Sequence, residues 1–589
     1  MQIAGGALAA AWLGSLWYAS GLIGDKEDPA SGVRGVLVLG VLLPLALGFA
    51  HLLYAPVLFV VVLALCAVRY RRDVLVGTPV RRRGSPLAAW QERAGVAIVV
   101  FAVAAAAWPA LARPVLEGDS LWYHLPNAAA WAQTGSIWQT GTRYWWYPGG
   151  SELFASGLFA VSGPFSVGLA GTAALLFAGL RIYAWALREK TPALAAGALG
   201  AATVATATFG LQGGNLQNDV WLGAFFLELL WDARFAPRQL GVDGAVCALI
   251  KPYGFAFAAY GLVAARRFDS RLLIPIVVFG AWVARDLILL PHALIAPQTT
   301  EFPNTFNTTI VANAWPALGA LGTALWHDGI WMIVLVAAPI LGSFAARDRW
   351  LSIAGVVSLV VYPFMPFSYR SYVDQLANGH SLRYITPALA VGAVVSAELL
   401  RGAWRVAAPL LLIATALELN HIAGIFWIDP HAHWLIAVAA GLVLPIALLE
   451  GRQRAVVVSA VAVFAVMLAH SFAATDTPAR YDELLQPEKT RAYDWIARNH
   501  PARLVSSDVP AGAAIAVSPG TRAFDVLDAM PCTQARRLGA LLLVRRRPPS
   551  TKTFYPLAAA EIARCGTTLY ADDALRIIRP IAGTRPPRR

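Results

Sequence analysis

From Met1 to Ala469 apolar runs alternate with short breaks, and many of the runs approach the roughly 20 residues that one helical crossing of a bilayer needs. The first, Met1–Gly24, has no Lys or Arg before Gly24 and no evident cleavage site, so it reads as a retained span. Val36–Val68 is too long for one span and breaks near His51–Pro56. Val96–Ala112, Val167–Leu187, Pro192–Phe209 and Val220–Leu230 follow. Val242–Ala265 is flanked by arginines at both ends, which requires a hairpin turning at Lys251-Pro252-Tyr253-Gly254. Leu272–Leu290, Gly329–Phe344, Leu351–Phe364, Tyr384–Leu400, Ala407–Leu419, Leu435–Leu449 and Ala455–Ala469 complete the series, for about 13 to 15 spans.

Beyond Ala474 the pattern changes. Glu488–Asn499 and Ala558–Arg564 read as helices, and Arg503–Ser507, Leu541–Val544 and Leu575–Ile578 as short strands. This is a small α/β domain. The predicted fold class is an α-helical polytopic membrane protein with such a domain at its C-terminus. Its parts are N-terminal helices and a basic loop (1–95), a transmembrane module (96–472) and the α/β domain (473–589).

Composition agrees with the pattern. Of 589 residues, 58% are hydrophobic and 14% charged, against roughly a quarter charged in soluble chains. The formal charge of +13 does not point to nucleic acid, because arginines gather in loops such as Arg69–Arg93, where positive charge marks the cytoplasmic side. Placing that loop inside puts three long loops outside, 117–150, 291–328 and 367–382, together with the C-terminal domain. Frequent Ala and Arg with little Lys fits a GC-rich bacterial genome, and hence a bacterial plasma (inner) membrane. Cys532 and Cys565 then face an oxidising compartment, where a disulfide and two free thiols are both open.

The outer side collects the chemistry: Asp119, Tyr123, His124, Asp219, Lys251, Arg285, Asp286, His292, Tyr369, Arg370, His380, Arg383 and Tyr384. Charges within spans are costly and mark interior or water-filled places. Asp119, in Glu117-Gly-Asp-Ser-Leu-Trp-Tyr-His-Leu-Pro126, is the candidate base, with Asn127–Thr134 as a short helix behind it. Arg143-Tyr-Trp-Trp-Tyr147 reads first as an interfacial aromatic belt and second as a stacking surface for a sugar or lipid. Asp429-Pro-His431-Ala-His433 lacks the further ligands a metal site needs, and no phosphate loop or HExxH occurs; no metal and no cofactor are expected.

The loop with Asp119 and Tyr123-His124-Leu-Pro126 resembles that of the GT-C superfamily of membrane glycosyltransferases, nearest the protein-mannosyltransferase and aminoarabinose-transferase branch. Tyr147-Pro148-Gly149, Asn218-Asp219, Lys251-Pro252, Arg285-Asp286 and Arg383-Tyr384-Ile-Thr-Pro387 follow in order over Val96–Leu400. Asp119 is followed by Ser120, where the family often has a second acid, and Glu117 precedes it. The resemblance implies an inverting transfer of a sugar from a polyprenyl-phosphate donor to an acceptor lipid, glycan or protein outside the membrane, without a nucleotide. Asp119 would be catalytic. Tyr123, His124, Asp219, Lys251, Arg285, Asp286, His380, Arg383 and Tyr384 would line the substrate site. A transporter or flippase for a lipid-linked sugar or small solute is the alternative, in which the intramembrane charges form a pathway.

Overall fold

The computed structural model describes residues 2–23, 28–76, 86–111, 117–251, 253–264, 271, 273–289, 319, 322, 325, 330–346, 349–362, 380–425, 487–506, 509–525, 531–545, 562 and 564–581. The runs Leu435–Leu449 and Ala455–Ala469 lie outside these, as do His292, Tyr369, Arg370, His431, His433 and most of the two later loops.

Among the described residues, helices account for the apolar runs. They are α1 (Gln2–Ser20), α2 (Ser31–Phe49), α3 (Ala55–Val76), α4 (Pro86–Leu111), α5 (Leu125–Thr134), α6 (Gly150–Ser162), α7 (Leu169–Arg188), α8 (Ala193–Val204), α9 (Ala207–Gly210), α10 (Asp219–Phe235), α11 (Leu240–Ile250), α12 (Gly254–Ala264), α13 (Leu273–Leu289), α14 (Ile330–Ala345), α15 (Arg349–Val361), α16 (Thr386–Leu399) and α17 (Trp404–Ile425). Segments Ser31–Phe49, Trp90–Ala107, Pro164–Arg188 and Leu382–Leu399 are long and apolar enough to cross a membrane. The chain is a multi-pass membrane protein. The break expected near His51 is real: α2 stops at Phe49, and His51 turns with φ 60°.

The bundle packs small residues against bulky ones. Helix α10 is buried almost throughout and is wrapped by α7, α11, α12 and α16. Trp221 stacks with Phe225 at 6.2 Å and meets Phe154 edge-on at 5.4 Å. The predicted hairpin is α11–α12, two helices of 11 residues each. At about 1.5 Å per residue neither crosses a bilayer, so Lys251 at the turn stays deep in the protein. Gly254 permits the turn: a Cβ there would lie 2.2 Å from the carbonyl oxygen of Cys247.

The C-terminal part is a five-stranded sheet with α18 (Pro487–Asn499), α19 (Ala511–Val517) and α20 (Pro531–Leu538). Strands β1 (Arg503–Ser506), β2 (Arg522–Asp525), β3 (Leu541–Arg545), β4 (Gly566–Ala571) and β5 (Leu575–Pro580) run in the order β2-β1-β3-β5-β4. The first three are parallel, and β5 is antiparallel to β3 and β4. Cys532 and Cys565 form a disulfide with their Cα atoms 5.6 Å apart.

This sheet is docked on the bundle beside the Asp119 loop. Gln133 Nε2 donates to the carbonyls of Pro519 (2.9 Å) and Thr521 (3.1 Å). The Arg143 amide donates to Asp525 Oδ2 (3.0 Å), and the Asp525 amide to the Gly141 carbonyl (3.0 Å). Helix α19 lies on the turn after Asp119, and a Cβ on Gly512 would meet the Leu121 carbonyl oxygen at 2.5 Å and its Cα at 2.9 Å. Only glycine lets the two backbones come this close.

Candidate functional site

Asp119 is placed by the residues around it. It caps a π-helical turn, Ser120–His124, that runs straight into α5, where Pro126 fits the first turn and Gly135 (φ 67°) ends the helix. The Glu117 carboxylate accepts from the amides of Asp119 (2.9 Å) and Ser120 (2.7 Å) and from Ser120 Oγ (2.6 Å). Ser120 Oγ in turn accepts from the Leu216 amide at 3.0 Å, which ties the loop to the strand of chain leading into α10. Glu117 and Ser120 thus hold the loop's backbone, and the acid beside Asp119 is Asp219.

Four charges alternate through the site. Lys251 Nζ donates to Asp219 Oδ1, Asp219 Oδ2 lies 3.6 Å from Arg383 Nε, and Arg383 Nη2 donates to Asp119 Oδ2 at 2.5 Å. Each side chain comes from a different element. Asp119 is on the loop, Asp219 starts α10, Lys251 tips the hairpin, and Arg383 lies within the 3-10 turn His380–Ile385 before α16. Carboxylates at a helix N-terminus are favoured, as Asp219 is here. Burial pushes the Asp119 carboxyl up, but Arg383, His124 and Lys251 together pull it below the ordinary carboxylate value.

Aromatic rings enclose the charges. The Tyr384 ring lies 5.0 Å from Lys251 Nζ and 5.2 Å from the Arg383 guanidinium, and its hydroxyl accepts from Arg383 Nη2 at 3.3 Å. Tyr123 packs on His124 at 4.1 Å and meets Tyr144 edge-on at 4.9 Å, and Tyr144 stacks on Tyr147 at 4.8 Å. Burial, with Tyr384 nearby, pushes the Tyr147 hydroxyl up to about 12, so it stays a donor at neutral pH. His124 Nδ1 pairs with Glu152 Oε1 at 2.6 Å, and Ser151 Oγ donates to Glu152 Oε2 at 2.8 Å. That buried pair fixes the imidazole under the Tyr123 ring.

Two donors in the site are buried without a hydrogen-bond partner among the described residues: Arg383 Nε and the Tyr253 hydroxyl. Orphaned buried donors are uncommon and mark where an acceptor binds. Tyr253 lies 5.6 Å from Lys251 Nζ across its ring.

The structure therefore brings together Asp119, Tyr123, His124, Asp219, Lys251, Arg383 and Tyr384. It does not bring in Arg285 and Asp286. Arg285 is fully buried and spends its donors elsewhere: Nε and Nη2 reach the Ile137 carbonyl (2.9 and 2.6 Å), Nη1 the Trp145 carbonyl (3.2 Å) and Asp286 Oδ1 (2.5 Å). Its guanidinium also lies 4.6 Å over the Trp282 ring. The place in the substrate site expected for Arg285 gives way to a clamp on the loop between α5 and α6. The same clamp corrects the aromatic-belt reading, since Trp145 and Trp146 are buried inside the protein. The side chain of His380 lies outside what is described. Substituting Arg285→Met leaves Asp286 and the carbonyls of Ile137, Gln139 and Trp145 unmatched. It is expected to cost about 3 kcal/mol of stability, read as a lowered thermal midpoint.

Sequence reasoning missed Tyr253 and Glu152. Tyr253 carried a signal, its place in the hairpin turn beside Lys251. Glu152 carried none, because its partner His124 is distant along the chain and only folding joins them.

In fold, the chain is similar to the crystal structure of ArnT from Cupriavidus metallidurans bound to undecaprenyl phosphate, with a TM-score of 0.50 over 84% of this chain and 99% of that one at 13% identity. The apo state of the same protein gives a TM-score of 0.49 at 14% identity, over 83% and 99%. No family model matches the chain, and no curated protein matches it by sequence. The likeness is one of fold, a polytopic helical bundle with a small C-terminal sheet, as the apolar runs and the strand pattern beyond Ala474 predict.

Proposed function

We propose that this chain is an inverting glycosyltransferase that moves a sugar from a polyprenyl-phosphate carrier to an acceptor on the outer side of the membrane. The observation that carries this reading is a pair of buried donors without a hydrogen bond among the described residues, Arg383 Nε in the charge chain that ends on Asp119 and the Tyr253 hydroxyl beside Lys251. A phosphate diester fits those donors, and a hydroxyl or amine acceptor fits beside the carboxylate. The ArnT structure that shares this fold was solved with a polyprenyl phosphate, which supports the same carrier here. The arginine distribution and the Cys532–Cys565 disulfide support an outer, oxidising face for the site and the C-terminal sheet.

In this reading Asp119 accepts the proton of the acceptor as its oxygen or nitrogen attacks the anomeric carbon. The bond from that carbon to the phosphate oxygen breaks, and the electron pair leaves with the phosphate. The leaving group goes from one negative charge to two, and Arg383 and Lys251 are aimed at that increase. A planar guanidinium suits two phosphate oxygens at once. Tyr123, Tyr144 and Tyr147 offer ring faces for the sugar.

Asp119 works only ionised, and its pKa is depressed in the folded protein. Its ionised form therefore persists through neutral and mildly acidic pH and is lost only as pH falls below the ordinary Asp value of about 4. A plot of kcat/KM against pH is expected to show no Asp119-dependent acid limb above that value.

Seating of the C-terminal sheet is expected to matter to rate. Gly512→Val drives a side chain into the Leu121 backbone and displaces the turn that carries Asp119. A shift near 1 Å at a reacting group costs up to roughly 100-fold. A kcat loss of about 10- to 100-fold with unchanged donor-lipid binding is the expected result, measured on purified protein.

Mass spectrometry of lipid co-purified with the full chain tests the function itself. A polyprenyl-phosphate glycoside is expected. A bare soluble solute with no such lipid would favour the transporter reading and overturn this one.

A further inference from the structure

A second buried cluster lies on the same helix as Asp219, at its other end. Glu228 and Asp232 are on α10, Asp243 on α11, Arg34 on α2 and Arg181 on α7, and all five are fully buried or nearly so. From Asp219 to Asp232 the axis runs roughly 20 Å, so the cluster is separate from the proposed transfer site.

Most of its charges are matched. Arg34 Nε donates to Asp243 Oδ2 at 2.9 Å and Nη2 to the same oxygen at 2.6 Å, and Arg34 Nε lies 3.4 Å from Glu228 Oε1. Arg181 Nη2 donates to Glu228 Oε1 at 2.8 Å, Nε pairs with Glu228 Oε2, and Nη1 lies 2.7 Å from Asp28 Oδ2 at the edge of the cluster. Asp232 is the exception. It is 0% exposed, and among the described residues no N–H or hydroxyl group donates to either of its carboxylate oxygens. Yet Glu228, Asp232 and Asp243 each place an oxygen within 4.8 Å of the other two.

Two guanidiniums balance Glu228 and Asp243, and Asp28 adds a further negative charge at the edge. An ionised Asp232 would be an unmatched charge against two like charges in a dry interior, which is severely unfavourable. We propose that this cluster is a proton-binding site: Asp232 takes up one proton from water and donates its O–H toward the Asp243 and Glu228 oxygens. Arg34 from α2, Glu228 on its own helix and Asp243 from α11 face Asp232, while Arg181 from α7 and Asp28 join the cluster through Glu228, and Cys247 from α11 lies beside Asp243. A divalent metal is disfavoured because the Glu228 and Asp243 oxygens already accept from guanidiniums, which would stand against the ion. A proton needs only the one contact.

Asparagine has nearly the shape and charge of a protonated Asp, so Asp232→Asn in the full-length protein separates the possibilities. It is expected to fold with a thermal midpoint within about 3 °C of the parent. Infrared difference spectra at neutral pH are expected to show a protonated-carboxylic-acid C=O stretch in the parent that the variant lacks. Asp243→Asn, which strips Arg34 of its counter-ion, is expected to lower the midpoint by roughly 10 °C. The proposal is overturned if Asp232→Asn fails to fold, or if no Asp232-dependent carboxylic-acid band exists. Stoichiometric divalent metal in the parent that is lost in Asp232→Asn also overturns it.

Discussion

Asp119→Asn is expected to reduce sugar transfer by roughly 100- to 10,000-fold, the range over which a positioned general base acts. The amide keeps the shape of the carboxylate and can still accept from Arg383 Nη2, so the loop should keep its form. Its backbone anchors, Glu117 and Ser120, are untouched. Binding of the donor lipid should therefore change by only a few-fold, and the loss should fall on kcat. Single-turnover assays with a polyprenyl-phosphate sugar distinguish the two. Full activity in Asp119→Asn would remove Asp119 from the chemistry.

Arg383→Ala carries the second large effect, because one side chain serves several partners. It pairs with Asp119, donates to the Tyr384 hydroxyl, and its Nε, 3.6 Å from Asp219 Oδ2, makes no hydrogen bond among the described residues and can take an acceptor. Removing a donor aimed at developing charge costs roughly 100- to 1,000-fold in kcat. Donor KM should rise as well, since the phosphate loses a partner in the ground state. A further sign is specific to this geometry. Without the guanidinium, Asp119 loses the strongest influence holding it below the ordinary value, so an acid limb should move up into view in the residual activity. Arg383→Lys is expected to recover little, because an ammonium cannot reach Asp119 and a phosphate with two parallel bonds. Unchanged KM and pH profile in Arg383→Ala would place the phosphate elsewhere.

Much of this arrangement was legible in the sequence, for reasons that can be named. A bilayer imposes length on apolar runs and sidedness on arginine, so most of the described helices, the hairpin at Lys251 and the grouping of Asp119, Asp219, Lys251 and Arg383 followed from pattern, whereas α6, Gly150–Ser162, did not. The Arg143–Tyr147 segment did not. A Trp-Tyr-rich loop beside spans has the composition of an interfacial belt, and what turns it inward is Arg285, distant in sequence and bonded to backbone carbonyls that leave no side-chain signature. In the C-terminal sheet, β1, β3 and β5 showed as apolar runs. Strand β2, Arg522–Asp525, has a charge at each end, and β4, Gly566–Ala571, opens on Gly-Thr-Thr and has no buried residue, so neither stands out by hydropathy. The docking of α19 on the Asp119 turn rests on Gly512, one small residue whose meaning depends on a backbone far away in the chain.

A structure of the full chain with a polyprenyl phosphate, determined by electron cryo-microscopy, addresses the central proposal most directly. The phosphate is expected within hydrogen-bond distance of Arg383 Nε and the Tyr253 hydroxyl, beside Asp119. A phosphate bound away from the Lys251–Asp219–Arg383–Asp119 chain would contradict it.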